Sequence, residues 1–205
     1  MAQSMKGRTL RLWAPHAERV DLLLDGRRLP MTRHDEARLD GDWSVEVDAA
    51  DGTPYSFSLD GGPPRPDPRG LRLPDGPHGP SALYDPGSFA WTDRGWRGAP
   101  LEAAVLYELH VGTFTPEGTL DAAARRLDHL VDLGISVVEL MPLAPFPGRH
   151  GWGYDGVAPY AVHEPYGGPE ALQRFVDTAH GLGLGVCLDV VHNHLGPDGN
   201  YLPEL

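Results

Sequence analysis

The run Asp189-Val-Val-His-Asn-His194 gathers a carboxylate, an amide and two imidazoles into one short stretch. It closes an apolar run, Leu184-Gly-Val-Cys-Leu-Asp-Val-Val191, that reads as a fully buried parallel strand. A carboxylate inside such a strand is costly unless it is hydrogen-bonded or paired. Polar residues at the point where a parallel strand opens into a loop are how α/β barrels assemble active sites. The bland alternative is that Asp189 only ties loop amides together. A metal site is the weaker reading: His192 and His194 share a face, but no carboxylate or third histidine is spaced to finish a tetrahedral set. The His-Asn-His string also occurs in a nuclease motif, which needs a hairpin and helix around it rather than a buried parallel strand. No metal and no cofactor is therefore expected.

The second group is Gly151-Trp-Gly-Tyr-Asp155. Glycines let backbone approach a ligand closely, and Trp152 and Tyr154 offer flat apolar faces with polar tips. Sugar rings have apolar faces that stack on such platforms. A loop packed by its own aromatics remains the structural alternative.

Both groups need elements to hold them. From Ala103 the pattern runs strand, helix, strand: Val105–Val111, a helix capped by Thr119 and running to about Leu133, then Val137–Leu140. Leu120, Leu127, Leu130 and Val131 line one face of that helix, and Gly134 stops it. Pro169 fits the start of a second helix, with Leu172, Phe175, Val176 and Ala179 along its apolar face to Leu182. Such alternation means right-handed parallel βαβ units. Residues 8 to about 60 differ. Thr9–Trp13, Val20–Leu24, Trp43–Val47 and Tyr55–Leu59 alternate apolar and polar positions between Asp-Gly turns, as in a small antiparallel sandwich. Prolines between residues 62 and 92 make a strap that is neither helix nor central strand, with Tyr84, Phe89, Trp91 and Trp96 available to pin it. The expected division is a β-sandwich over 1–62, a Pro/Gly-rich strap over 63–102 and a barrel segment over 103–205. A (β/α)8 barrel needs about 250 residues, so the chain holds only three strands of one and reads as truncated.

The 205 residues carry a net charge of −12, which disfavours nucleic acid and anionic membranes as partners and leaves a neutral polyol unopposed. Cys187 is the only cysteine, expected as a small buried hydrophobe, so no disulfide framework exists. No run reaches the ~18 apolar residues of a membrane helix, and Met1–Arg11 lacks a leader's apolar core, so a cytoplasmic location is the expectation.

The Asp-x-x-x-Asn-His pattern of Asp189–His194 resembles the third-strand motif of the α-amylase family, glycoside hydrolase family 13. The Gly151–Asp155 loop resembles that family's Gly-Tyr-Asp loop. Leu12-Trp-Ala-Pro-His-Ala17 with Val20 is similar to the opening of the immunoglobulin-like, carbohydrate-binding modules that precede such barrels, although Trp13 itself reads as ordinary core. Within the family, Val105-Leu-Tyr-Glu-Leu-His-Val-Gly-Thr-Phe-Thr-Pro-Glu-Gly-Thr119 and Glu139-Leu-Met-Pro142 resemble the maltooligosyltrehalose trehalohydrolases, with glycogen-branching enzymes next. The implied fold is a multidomain β plus α/β protein: a sandwich, then the first strands of a TIM barrel.

The resemblance implies that Tyr154 stacks under the sugar where cleavage occurs, and that His194 hydrogen-bonds that sugar's primary hydroxyl. Trp152 extends the apolar floor. Asp189 stands behind the sugar, supporting an arginine beside the nucleophile. Asn193 is a calcium ligand in many relatives, a role not expected here. The implied substrate is an α-glucan, maltooligosyltrehalose, cut with retention by two carboxyl groups about 5–5.5 Å apart. Those carboxylates belong to later strands, so no catalytic residue is assigned within this chain. Glu108 and Glu139 match no catalytic position and read as structural. The missing remainder of the barrel would be the necessary partner. A stand-alone glucan-binding protein is the alternative of another class, and it would need solvent-facing Trp43 and Tyr55.

Overall fold

Alternating apolar residues and left-handed Asp-Gly turns build the amino-terminal part. The computed structural model describes residues 7–36 and 40–205; residues 1–6, which open the stretch read for a leader, lie outside them. Strands β1 (Arg8–Trp13), β5 (Asp42–Val47) and β4 (Thr32–His34) form one antiparallel sheet, in the order β1-β5-β4. A second holds β3 (Arg27–Pro30), β2 (Val20–Leu24), β6 (Pro54–Leu59) and β7 (Ser81–Ala82), in the order β3-β2-β6-β7. Asp25 and Gly26 both take positive φ, 47° and 74°, which is what the tight β2–β3 hairpin requires. Leu12, Val20, Leu22, Leu24, Trp43, Val47, Tyr55 and Phe57 fill the core between the sheets. Strands β3 and β4, Arg-Arg-Leu-Pro and Thr-Arg-His, escape sequence reading because they are short, polar and without alternation.

Three aromatic expectations are corrected here. Leu12 is buried, so its neighbour Trp13 points the other way and is 60% exposed, its indole N–H donating to the Asp40 carbonyl at 3.1 Å. Trp43 and Tyr55 are each only 5% exposed. The Trp43 indole donates to the Ala14 carbonyl at 3.0 Å, and the Tyr55 hydroxyl to Asp67 at 2.8 Å. Both are core residues and offer no face to a glucan.

The strap contains only the edge strand β7 and one short 3-10 turn, Pro86–Ser88. It docks on the following segment through polar and aromatic contacts. Arg72 reaches Glu164 at 2.7 Å and Glu170 at 3.0 Å, Tyr84 donates to Gln173, and Trp96 stacks on His180 with ring centroids 4.3 Å apart.

The last part is a parallel sheet of β8 (Leu106–Leu109), β9 (Val137–Leu140) and β10 (Gly185–Leu188), in sequential order. Helices α1 (Val111–Phe114), α2 (Leu120–Ala124), α3 (Leu127–Asp132) and α4 (Gly168–Gly181) complete it. Leu109, Val138 and Leu140 from the sheet pack on Leu120, Leu127, Leu130, Phe175 and Ala179. The first strand stops two residues before Val111, which turns inward and begins α1. The helix after Thr119 keeps its cap, Thr119 Oγ1 accepting from Ala122 N–H at 3.2 Å, but breaks at Arg125 and Arg126. That break turns Val131 to solvent, against expectation.

The third strand also departs from its reading. Ladder pairing ends at Leu188, Leu188 is 45% exposed, and Cys187 and Asp189 are half-buried. Among the described residues β10 pairs only with β9, so it is an edge strand. No helix among these residues is long and apolar enough to cross a membrane.

Candidate functional site

Strand alternation decides what the open face of the parallel sheet presents. Leu109, Val138 and Leu140 face the helices, so Glu108, Glu139 and Cys187, which are partners in register, lie side by side on the opposite face. One layer further, beyond the carboxyl ends of the strands, come His110, Met141 and Asp189. The Asp189 amide still bonds to the Leu140 carbonyl at 2.9 Å, and the Met141 amide to Leu109 at 3.0 Å, so this layer stays in register.

Tyr154 reaches that layer from the β9–α4 connection. Its hydroxyl donates to Asp189 Oδ2 at 2.7 Å. This bond to a carboxylate, with partial burial and the charges of Asp189, Glu108 and Glu139, pushes the phenol up to about 12. The ring therefore stays neutral and remains a donor at physiological pH.

The Tyr154 backbone is held too. Its carbonyl can only accept, so His194 Nε2 carries the proton and donates to it at 3.0 Å. Nδ1 is then an acceptor, and the Asn193 side-chain amide 3.1 Å away pairs with it only through its NH2 end. Tyr154, Asp189, Asn193 and His194 thus form one corner between the loops that follow β9 and β10. Glycine makes the approach of these loops possible. A Cβ on Gly153, at φ 88°, would lie 2.3 Å from the Pro142 carbonyl, and one on Gly196 would lie 2.1 Å from the Asp155 carbonyl. Neither position tolerates a side chain without backbone movement.

Trp152 is 73% exposed and makes no ring pair among the described residues. His192 is exposed and stands outside the hydrogen-bonded corner. Sequence reading missed His110, Tyr166 and His163. His110 Nε2 sits 2.8 Å from the Gly151 carbonyl at the base of the Trp152–Tyr154 loop. The available signal was its place at the carboxyl end of the first parallel strand, equivalent to that of Asp189. The assembled corner offers a braced aromatic ring, an imidazole and a carboxylate edge beyond the carboxyl ends of the parallel strands, groups whose chemistry suits a polyhydroxylated ring.

Residues 83–204 match the family model described as alpha amylase, catalytic domain, and residues 1–73 match carbohydrate-binding module 48, the isoamylase N-terminal domain. The chain belongs to the α-amylase family. Its α-amylase segment carries the whole Tyr154–Asp189–His194 corner, and the module-48 match covers the two antiparallel sheets except for β7. The chain is 56% identical over 197 residues to the malto-oligosyltrehalose trehalohydrolase of Arthrobacter ramosus, covering 94% of this chain and 34% of that protein. It is 33% identical over 222 residues to the 1,4-alpha-glucan branching enzyme of Vibrio parahaemolyticus, covering 98% of this chain and 29% of that protein. A crystallised alpha-amylase-type protein of Salmonella typhimurium superposes with a TM-score of 0.92 at 45% identity, over 99% of this chain and 34% of that one. The chain therefore spans about a third of the length of the relatives it matches.

Proposed function

We propose that this chain supplies the sugar-holding corner of an α-glucan hydrolase that acts in the cytoplasm, cuts the α-1,4 bond beside a terminal trehalose and releases free trehalose. The observation that carries the reading is the doubly braced Tyr154: phenol on Asp189 at 2.7 Å, backbone on His194 at 3.0 Å. Higher identity to a trehalohydrolase than to a branching enzyme supports the narrower substrate.

In this reading the Tyr154 ring is the platform under the sugar that becomes oxocarbenium-like, with Trp152 extending the floor. The His194 Nδ1 edge, shared with Asn193, meets the primary hydroxyl. Asp189 keeps its second oxygen for an arginine. Bond cleavage by retention needs two positioned carboxyl groups, one as nucleophile and one as acid. Glu108 and Glu139 lie a layer below the Tyr154 corner and serve the sheet, and Asp189 is engaged by Tyr154. The 205-residue chain alone therefore cleaves no glycosidic bond.

The test replaces the matching third of the Arthrobacter ramosus relative with this chain. Trehalose release from maltooligosyltrehalose, without transfer of glucan branches, supports the proposal; branching without trehalose release moves the chain to the branching reading. Turnover by the isolated chain that vanishes in Glu108→Gln or Glu139→Gln would refute the assignment of roles.

A further inference from the structure

We propose that His110 is a positioning residue that braces the Gly151–Asp155 loop and thereby sets the Tyr154 ring; the functional half of this inference rests on Tyr154 being the sugar platform. The Gly151 carbonyl only accepts, so the proton of the His110 ring is on Nε2, which donates at 2.8 Å. Nδ1 is then an acceptor, and Thr113 Oγ1 lies 3.3 Å from it, its one proton shared between Nδ1 and the His110 carbonyl at 3.4 Å. Both ring nitrogens are occupied, and the tautomer is set by its neighbours.

The ring is also held by packing. Tyr166, fully buried, stands edge-on to His110 at 6.0 Å between centroids and brings its hydroxyl 3.2 Å from Nε2, where it shares the same proton. Phe146 packs against Gly151 itself: a Cβ there would lie 2.8 Å from its ring. Phe146 stacks on His163 at 3.8 Å, and His163 meets Tyr166 edge-on at 4.8 Å. Phe146 and Tyr166 belong to the same core as β9 and α4. The loop that carries Tyr154 is therefore anchored at Gly151 to the rigid sheet-and-helix core and at Tyr154 to Asp189 and His194. Without the first anchor, the remaining bonds on Tyr154 all come from the exposed β10 side.

Trypsin reads this directly, because Arg149 is exposed two residues before Gly151. In the 205-residue chain, His110→Phe keeps an aromatic ring and deletes the donor. Nicking after Arg149 should accelerate about tenfold, the scale of one lost hydrogen bond. His110→Gln, which presents an N–H at similar reach, should stay within about threefold of wild type. Cleavage after Arg97, exposed in the strap, should not change. Unchanged nicking at Arg149, or equal acceleration at Arg97, overturns the brace. If His110→Phe fails to fold, Thr113→Val removes the Nδ1 partner and should still raise nicking at Arg149 alone, by about threefold; no rise there overturns the proposal as well.

The kinetic arm uses the Arthrobacter swap. His110→Phe should lower kcat/KM about tenfold with Tyr154 present and less than about twofold on a Tyr154→Ala background, because the two act as a unit. Independent, additive losses remove the functional role. Wild-type kinetics in Tyr154→Ala would instead refute the platform reading, while the nicking comparison still judges the brace.

Discussion

Tyr154 and Asp189 are 35 residues apart in the chain and meet through a 2.7 Å hydrogen bond from phenol to carboxylate. That bond joins the loop after β9 to the end of β10, so the proposed platform and the third-strand motif form one unit. Its loss should be felt in rate rather than in folding. In the Arthrobacter swap, Tyr154→Phe keeps the ring and should cost kcat/KM about threefold, whereas Tyr154→Ala and His194→Ala should each cost about a hundredfold. Thermal melting should stay near wild type in all three. Equal losses for Phe and Ala at position 154 would mean that the hydroxyl, not the ring face, is what matters.

The same bond sets a titration. The Asp189 carboxylate holds the Tyr154 phenol up to about 12, against 10.0 for a free tyrosine. A raised folded value favours the native state below the unfolded value, so this contribution is complete below pH 10 and is lost as pH rises toward 12. Tyrosine labelled at the ring carbon bearing oxygen should show the Tyr154 resonance, assigned by its loss in Tyr154→Phe, titrating near pH 12, where buried Tyr166 also titrates. In Asp189→Asn that resonance should move toward 10.

His163 works at the acid end. Burial, with the Arg149 charge adding to it, pushes its imidazole down to about 4 from 6.5, and its buried Nε2 finds no hydrogen-bond partner among the described residues. Its neutral form is the native one, so stability is complete above pH 6.5 and falls as pH drops through 6.5 toward 4. His163→Phe keeps the stack on Phe146 and removes both the titration and the unpaired nitrogen. Its Tm should equal or exceed wild type by about 2 °C at pH 7, and should fall about 3 °C less between pH 7 and 4.5. Calorimetry at the two pH values tests this; parallel curves would contradict it.

Asp21 is fully buried in the sandwich beneath Arg19 and Arg28, each 2.8 Å from Oδ2, while Oδ1 has no hydrogen-bond partner among the described residues. Burial pushes its carboxyl up, but the hydrogen bonds and charges of Arg28 and Arg19 outweigh this and hold it below the usual range. Asp21→Ala should destabilise the chain by about 2 kcal/mol, moderated by the partial exposure of both arginines. Denaturant melts of the variant and of Arg28→Ala should show the larger loss for Asp21.

The two tryptophans of the β1–β5 pair should respond in opposite ways. Trp43→Ala empties a core position and should cost about 3–5 kcal/mol. Trp13→Ala removes an exposed ring and should stay within about 0.5 kcal/mol. Comparable costs would place Trp13 in a contact that the fold does not show.

Sequence alone determined what depends on local periodicity and turn chemistry. Val20–Leu24 and Val137–Leu140 appear with the bounds that alternation and apolar runs predict, and the Asp25-Gly26 hairpin and the Thr119 cap stand where their side chains dictate. Asp189, Asn193, His194 and Tyr154 could be singled out in the sequence as a polar and aromatic group, and the structure brings them to one corner. Tertiary structure decided everything that depends on which face meets which neighbour. Trp13 turns outward only because Leu12 takes the core side, and Trp43 and Tyr55 turn inward by the same pleat. Cys187 and Leu188 gain exposure because β10 lies at the edge of its sheet. The bond from His110 to Gly151 spans 41 residues and joins a strand end to a loop, a pairing that no local pattern encodes. Composition can place a donor at the end of a strand, but only the packing of Phe146, His163 and Tyr166 decides which carbonyl it finds.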